Sequence, residues 1–213
     1  MRSLADLRKD YSSRSLHEQE VLADGYEQFR QWLEEALEAD CREPNAMTLA
    51  TANLEFKPSA RIVLLKGLEE GGFVFFTNYD SRKGKELLWN PYGALVFWWP
   101  ELERQVRVEG RLEKLTPEKS TKYFNSRPLS SRLGAIASPQ SQALESRKVL
   151  EERLEQVTRE QQGQDPMRPE HWGGYVLLPH AIEFWQGRPS RLHDRLLYTL
   201  GKNARWHITR LAP

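Results

Sequence analysis

Behind two aromatic residues, Phe184–Arg195 (FWQGRPSRLHDR) crowds Arg188, Arg191, Arg195, His193 and Asp194 into a short stretch. In extended backbone, alternate side chains share a face, which predicts that Arg191, His193 and Arg195 point the same way. Like charges along one strand face repel. Two guanidiniums flanking an imidazole therefore suit a surface that meets an anion or an electron-rich ring. Arginine offers a fixed fork of donors, and histidine titrates near neutral pH. A solvated strand with Asp194 as a local partner accounts for the same residues equally well.

Other segments carry cations in positions that want an explanation. In Asn78–Lys83 (NYDSRK), Ser81 is a good helix N-cap and places Arg82 and Lys83 in the first turn. Cations there oppose the helix dipole by on the order of a few tenths of a kcal/mol each. A phosphate bound at the free N–H groups would turn that penalty into a gain; pairing with Asp80 and Glu86 on a solvated turn is the plainer reading. In Arg61–Lys66 (RIVLLK) a cation stands at each end of an apolar run. Their spacing aims them at opposite strand faces, towards two anionic groups or simply out to solvent. In Tyr123–Ser131 (YFNSRPLSS), Tyr123 and Arg127 share a helix face and Ser131 follows a proline turn. Phenol, guanidinium and hydroxyl could grip a phosphate or end a helix. Gln140 and Ser141 open a helix, where they face a ligand or serve as caps. Trp98, Trp99, Phe184 and Trp185 are core by default and stacking partners for a flat heteroaromatic ring otherwise.

The elements that must position these residues read as mainly β with flanking helices. An amphipathic helix is expected over Leu16–Asp40, weakened by Gly25. Short β-branched or aromatic runs follow at Met47–Ala52, Ser59–Lys66, Phe73–Thr77, Ala94–Trp99 and Gln105–Leu115. Helices are expected over Ser81–Trp89, from Thr116 to about Ser126, and from Ser138-Pro139 onward, the last with Leu144, Arg147, Leu150, Leu154 and Val157 on one stripe. Gly174–Leu178, Ala181–Gln186, Arg195–Thr199 and Ala204–Leu211 return to strand. Without regular βαβ alternation, the pattern predicts an antiparallel barrel with attached helices. No GxGxxG or GxxxxGK[ST] motif is present, so a nucleotide-type ligand would be held by other means.

At 213 residues, with 39% hydrophobic and 29% charged residues, the chain supports one sizeable core. Residues 1–14 read as a mobile arm and 15–213 as a single domain. Net charge of +1 supplies no general field for nucleic acid or membranes, so anion affinity must be local. Cys41 is the only cysteine, which excludes an intramolecular disulfide and leaves no cysteine cluster for a metal. With no apolar leader or membrane-length run, the expected location is cytoplasmic.

The blocks RIVLLK (61–66), FTNYDSRKGKEL (76–87), LERQVRVEG (102–110), KYFNSRP (122–128), SPQS (138–141), WGGY (172–175), FWQGRPSRLHDR (184–195) and the terminal WHITRLAP resemble the pyridoxine (pyridoxamine) 5′-phosphate oxidase family in one register. RLHDR above all is specific to this family within the flavin-binding split-barrel group. The resemblance implies a split β-barrel homodimer with two FMN sites at the subunit interface. It implies oxidation of pyridoxamine or pyridoxine 5′-phosphate to pyridoxal 5′-phosphate, with dioxygen leaving as hydrogen peroxide and the amine as ammonia. FMN contacts then fall on Arg61, Ile62, Val63, Leu64, Leu65, Lys66, Phe76, Thr77, Arg82, Lys83, Gln105, Gln140, Ser141, Trp185 and Arg195. Substrate contacts fall on Lys66, Tyr123, Arg127, Ser131, Arg191, Leu192 and His193, and on Arg8, Lys9, Asp10 and Tyr11 of an arm that closes over the site in some members. Arg191 and His193 are the implied catalytic pair, His193 either as a base or as an orienting contact. No metal is implied. Phe76 stands where many members have tyrosine. Other readings are a split-barrel flavin reductase-like protein and a non-catalytic carrier of FMN or pyridoxal phosphate.

Overall fold

The computed structural model describes Ser3 and residues 10–12, 14–69 and 71–213. Helix α1 (Gly25–Glu38) begins at Gly25, not at Leu16, because the Asp24 carboxylate accepts the N–H groups of Tyr26 and Glu27 and so caps the helix there. The residues before it are spent otherwise: Leu16 is buried in the core and its N–H bonds to the Asp194 carboxylate.

The sheet follows as β1 (Ala46–Ala52), β2 (Pro58–Leu64), β3 (Gly67–Glu69) and β4 (Gly72–Asn78), then helix α2 (Arg82–Trp89), β5 (Tyr92–Trp99) and β6 (Arg104–Lys114). Three helices come next, α3 (Pro117–Ser126), α4 (Leu129–Ala137) and α5 (Arg147–Gln161), and β7 (Trp172–Gln186), β8 (Asp194–Leu200) and β9 (Trp206–Arg210) complete the chain. All strand pairs are antiparallel, in the order β2-β1-β5-β6-β7-β4-β3, with β8 and β9 added beside β7. The barrel expected from the pattern is therefore present. Its path turns back on itself where the Lys66 N–H bonds to the Val74 carbonyl at 2.8 Å, just past β2.

Two expected strands are one. Strand β7 runs unbroken through Pro179, because the register against β6 shifts there: Glu109 faces Ala181 and Gly110 faces Pro179, leaving His180 as the extra residue of a bulge. A bulge is where a strand tolerates proline. The helix expected from Ser138 starts only at Arg147, and its apolar stripe buries nothing. Gln140 and Ser141 accordingly lie in a loop, with Ser141 at φ 70°. Helix α4 was not anticipated.

The core lies under α1. Phe29 is fully buried among Phe73, Phe97 and Trp99, at ring distances of 4.7, 4.8 and 6.2 Å, while Trp32 meets Phe184 edge-on. This packing clamps the alternate residues of β4, β5 and β7 inward. Their neighbours on the other face are left for the site.

Candidate active site

A cavity of about 500 Å³ opens between β2, β4, the start of α2 and the α3–α4 corner. Ile62, Val63, Leu64 and Lys66 line one side; Phe76, Thr77, Lys83 and Gln140 line the next; Tyr123, Arg127, Ser131 and Trp172 close it. Ser81 caps α2 as its type predicts, accepting the Gly84 N–H, and so sets Lys83 in the first turn. Lys83 is only 9% exposed. Its ammonium donates to Thr77 Oγ1 (3.1 Å), Gln140 Oε1 (3.0 Å) and Ser81 Oγ (3.5 Å), all neutral. Among the described residues no carboxylate pairs with it. Burial, and then repulsion from Arg61, hold its pKa below the ordinary lysine value. A buried cation without a counter-ion is costly unless an anion joins it.

Arg127 repeats the pattern at the other end. Its guanidinium lies over the Trp172 ring at 4.7 Å, and one terminal nitrogen is buried without a hydrogen-bond partner. Burial lowers its pKa too. Three near-parallel rings line the same cavity: Phe76 on Tyr123 at 3.8 Å, Phe76 on Trp172 at 5.6 Å, and Tyr123 on Trp172 at 6.3 Å. Phe76 thus works through its ring face, which a phenol oxygen would leave unchanged. One cavity therefore offers two anion positions about a flat aromatic wall.

Arg61 and Arg82 do not line this cavity. Both reach Glu86 on α2, Arg82 through Nε at 2.9 Å and Arg61 at 3.4 Å. The Thr51 and Ser59 hydroxyls donate to the same carboxylate. Burial works to raise the Glu86 pKa, but the Thr51, Ser59 and Arg82 hydrogen bonds outweigh it and bring it down to about 2. A depressed carboxylate contributes stability above its ordinary 4.5 and loses it as pH falls towards about 2. Glu86→Gln is thus expected to flatten the acid limb of melting temperature against pH in that window; an unaltered limb would count against the ion-pair hub. Leu65 is core, and Ser141 is exposed outside the cavity.

The remaining predicted residues form a second surface. Register places Trp98 opposite Gln105, Gln105 opposite Trp185, and Trp185 opposite Arg195, one row across β5 to β8. The alternate residues Phe97, Val106, Phe184 and Leu196 are fully buried, so this row is on the outer face. Arg195 Nε donates to the buried Glu183 at 2.8 Å. The row ends at a turn that is not extended as expected: Pro189–Arg191 is a single 3₁₀ turn with Ser190 and Arg191 at φ 58° and 60°. Pro189, the left-handed pair and the bent Leu192 break the alternation there, so Arg191 does not stand at an extended-strand spacing from Arg195. His193 packs on Trp185, the residue opposite Arg195, at 4.5 Å and so stays beside that row, and its Nδ1 accepts the Arg188 N–H at 3.1 Å. Burial and then Arg191 lower its pKa, favouring the neutral ring. Tyr11 lies edge-on to both Trp185 and His193 at 5.8 Å. Gly187 makes room for it, since a Cβ there would stand 2.7 Å from the Tyr11 ring. Asp10 is exposed, as is Leu192, and Arg8 and Lys9 lie outside the described residues.

Residues 33–160 match the family model described as pyridoxamine 5′-phosphate oxidase. The chain belongs to this family. Residues 172–213 match the C-terminal dimerisation region of pyridoxine 5′-phosphate oxidase. Full-length relatives are the pyridoxine/pyridoxamine 5′-phosphate oxidases of Paraburkholderia phymatum, 59% identical over all of both chains, and of Trichormus variabilis, 57% identical over 100% of this chain and 99% of that one. Among solved structures, PhzG from Burkholderia lata, crystallised with tetrahydrophenazine-1-carboxylic acid, superposes at TM-score 0.87 and 30% identity over 93% of this chain and 98% of that one. An FMN-binding protein of Nostoc punctiforme shares the fold at TM-score 0.71 and 17% identity, covering 87% and 97% of the two chains.

As a member of an oxidase family, the chain is an oxidoreductase. Its dimerisation region contains Trp185, Arg191, His193 and Arg195, the whole C-terminal half of the second surface. Trp98, Ile62 and Leu192 are 45%, 65% and 70% exposed in the single chain, an apolar load that a partner subunit would cover. Sequence reasoning missed Trp172 and Glu183, and it named Glu86 only as a partner for the cations of a solvated turn; the Arg82–Glu86 pair is present, but the carboxylate is buried. Trp172 stood in the WGGY block without a role of its own, and the two acids carry no local signal that they would be buried. Among the described residues, no helix is long and apolar enough to cross a membrane.

Proposed function

We propose that this chain is a homodimeric FMN-dependent oxidase that converts pyridoxamine and pyridoxine 5′-phosphates to pyridoxal 5′-phosphate. The carrying observation is a pair of cations on one cavity that, among the described residues, have no carboxylate partner: buried Lys83 and half-buried Arg127, one nitrogen of which is buried without a hydrogen bond. FMN and the substrate each bring a phosphate monoester and a flat ring, which is what such a cavity accommodates. Lys83, with the α2 N-terminus and the nearby Arg61 and Arg82, suits the FMN phosphate; Gln140 and Thr77 hold the Lys83 ammonium in place. Lys66, Tyr123, Arg127 and Ser131 suit the substrate phosphate. Gln105, Trp185 and Arg195 form a face for the flavin ring edge, lent by the partner subunit, with Arg191 and His193 beside it for the pyridine ring. Two sites at the subunit interface follow from this division.

Bound FMN supplies hydride acceptance and the return of electrons to dioxygen. The protein's residues supply position. Arg127 and Lys66 fix one end of the substrate, the Phe76–Tyr123–Trp172 stack limits its tilt, and closure by the second surface excludes water. A neutral His193, its Nδ1 occupied by the Arg188 N–H, presents Nε2–H as a donor and orients the reacting group. For either substrate two electrons and two protons pass to dioxygen, giving hydrogen peroxide; the alcohol becomes the aldehyde directly, and the amine becomes an imine that water hydrolyses to the aldehyde and ammonia.

Purified protein is expected to be yellow, and aerobic pyridoxamine 5′-phosphate to yield aldehyde absorbance and equimolar peroxide. Colourless protein unable to take up FMN would overturn this reading. Yellow protein without this turnover would point to a different flavoprotein, and the relation to PhzG makes a reduced phenazine the next substrate to try.

A further inference from the structure

Glu86 is a carboxylate set among the cations of α2 and β2, and its position is unusual. It is 6% exposed, yet each of its oxygens is engaged: Oε1 by Arg82 Nε, and Oε2 by the Thr51 and Ser59 hydroxyls and the Arg61 guanidinium. Arg61 is gripped further by the Leu49 carbonyl and by the Thr51 and Ser59 hydroxyls. A single acid on the helix thus fixes an arginine on β2 and another in its own first turn. Lys83, next to Arg82 in that first turn, has only neutral hydrogen-bond partners and feels repulsion from Arg61.

Three cations crowded at a helix N-terminus would repel one another and the helix dipole. A buried acid shared by two of them relieves this and leaves a net charge of about +2 in the cluster, which matches a phosphate monoester dianion. Lys83 stays outside the ion-pair network and is the cation left for the ligand. An acid that held all three would cancel the site, and none at all would let it splay.

We propose that Glu86 is a positioning residue for the phosphate of bound flavin mononucleotide: it templates the Arg61–Arg82 pair around Lys83 without touching the ligand. This rests on the FMN reading given above. It predicts a loss confined to the phosphate. In the full-length apoprotein, affinities for FMN and for riboflavin, which lacks the phosphate, are compared by quenching of flavin fluorescence. Glu86→Ala should weaken FMN roughly tenfold to a hundredfold while leaving riboflavin within about twofold. Glu86→Gln keeps an oxygen acceptor and should recover part of the FMN affinity. An unchanged ratio of FMN to riboflavin affinity in Glu86→Ala would overturn the proposal, as would equal weakening of both ligands, which marks a merely structural role. If the wild-type protein bound neither flavin, the FMN reading itself would fail, an outcome visible before any variant is made.

Discussion

A heterodimer that pairs an Arg127→Ala chain with an Arg191→Ala chain is expected to keep about half of wild-type turnover, although each homodimer is impaired. Arg127 lines the cavity beside Trp172, whereas Arg191 sits in the turn after β7, beyond the Trp98–Gln105–Trp185–Arg195 row. Neither that row nor Arg191 contributes to the cavity lining of its own chain. If one subunit lends the row to the other's cavity, each site takes its Arg127 and its Arg191 from different chains. The heterodimer then holds one intact site and one with both defects. Each homodimer has every site damaged and should lose roughly 10- to 100-fold in kcat/KM, the usual cost of a charge-assisted contact. Two affinity tags, one per chain, isolate the heterodimer from co-expressed protein. Were each site made within one chain, every site of this heterodimer would carry one lesion, and its activity would stay at the homodimer level. Flavin content separates the roles further: Arg191→Ala should retain its FMN and lose turnover.

Much of this was legible in residue types. Ser81 before Arg82 and Lys83 announces a capped helix with misplaced cations, and the structure has that helix and that cap. Alternation in 105–115 announces a strand with one buried face, and β6 alternates so. Local chemistry determines such features, so local reading recovers them. What it could not recover depends on distant partners. Glu86 reads as a solvated partner of Arg82 and Lys83 until β1 and β2 bring Thr51, Ser59 and Arg61 to it. Gln140 reads as a helix start, but its amide oxygen is held by Lys83 from another element, and the chain stays irregular there. An extended backbone through Arg191 failed for a local reason, the left-handed pair after Pro189, whereas His193 does lie against Trp185 beside Arg195. That two separate surfaces make up the predicted site is a matter of sheet order, which no spacing of residues encodes.

Lys83→Met should give the opposite signs for stability and for cofactor affinity. The side chains are similar in length, so the slot beside Thr77 and Gln140 stays filled. The substitution deletes a charge that is nearly buried and meets only neutral oxygens. Such a charge is a cost in the apoprotein, relieved only when an anion binds. Removing it should leave the apoprotein melting temperature unchanged or higher, while FMN affinity falls by roughly tenfold to a hundredfold. The gap between holo and apo melting temperatures should shrink accordingly, because ligand stabilisation follows affinity. The pH dependence has a defined sign. A lysine whose folded pKa lies below its ordinary 10.5 binds fewer protons folded than unfolded, so its contribution to apoprotein stability rises with pH across that interval. Methionine should abolish that rise. FMN retention by the wild type should weaken as pH climbs through the same interval, since the neutral amine no longer attracts phosphate. A Lys83→Met apoprotein that melts several degrees lower yet holds FMN as tightly as the wild type would make Lys83 a structural lysine and move the phosphate elsewhere.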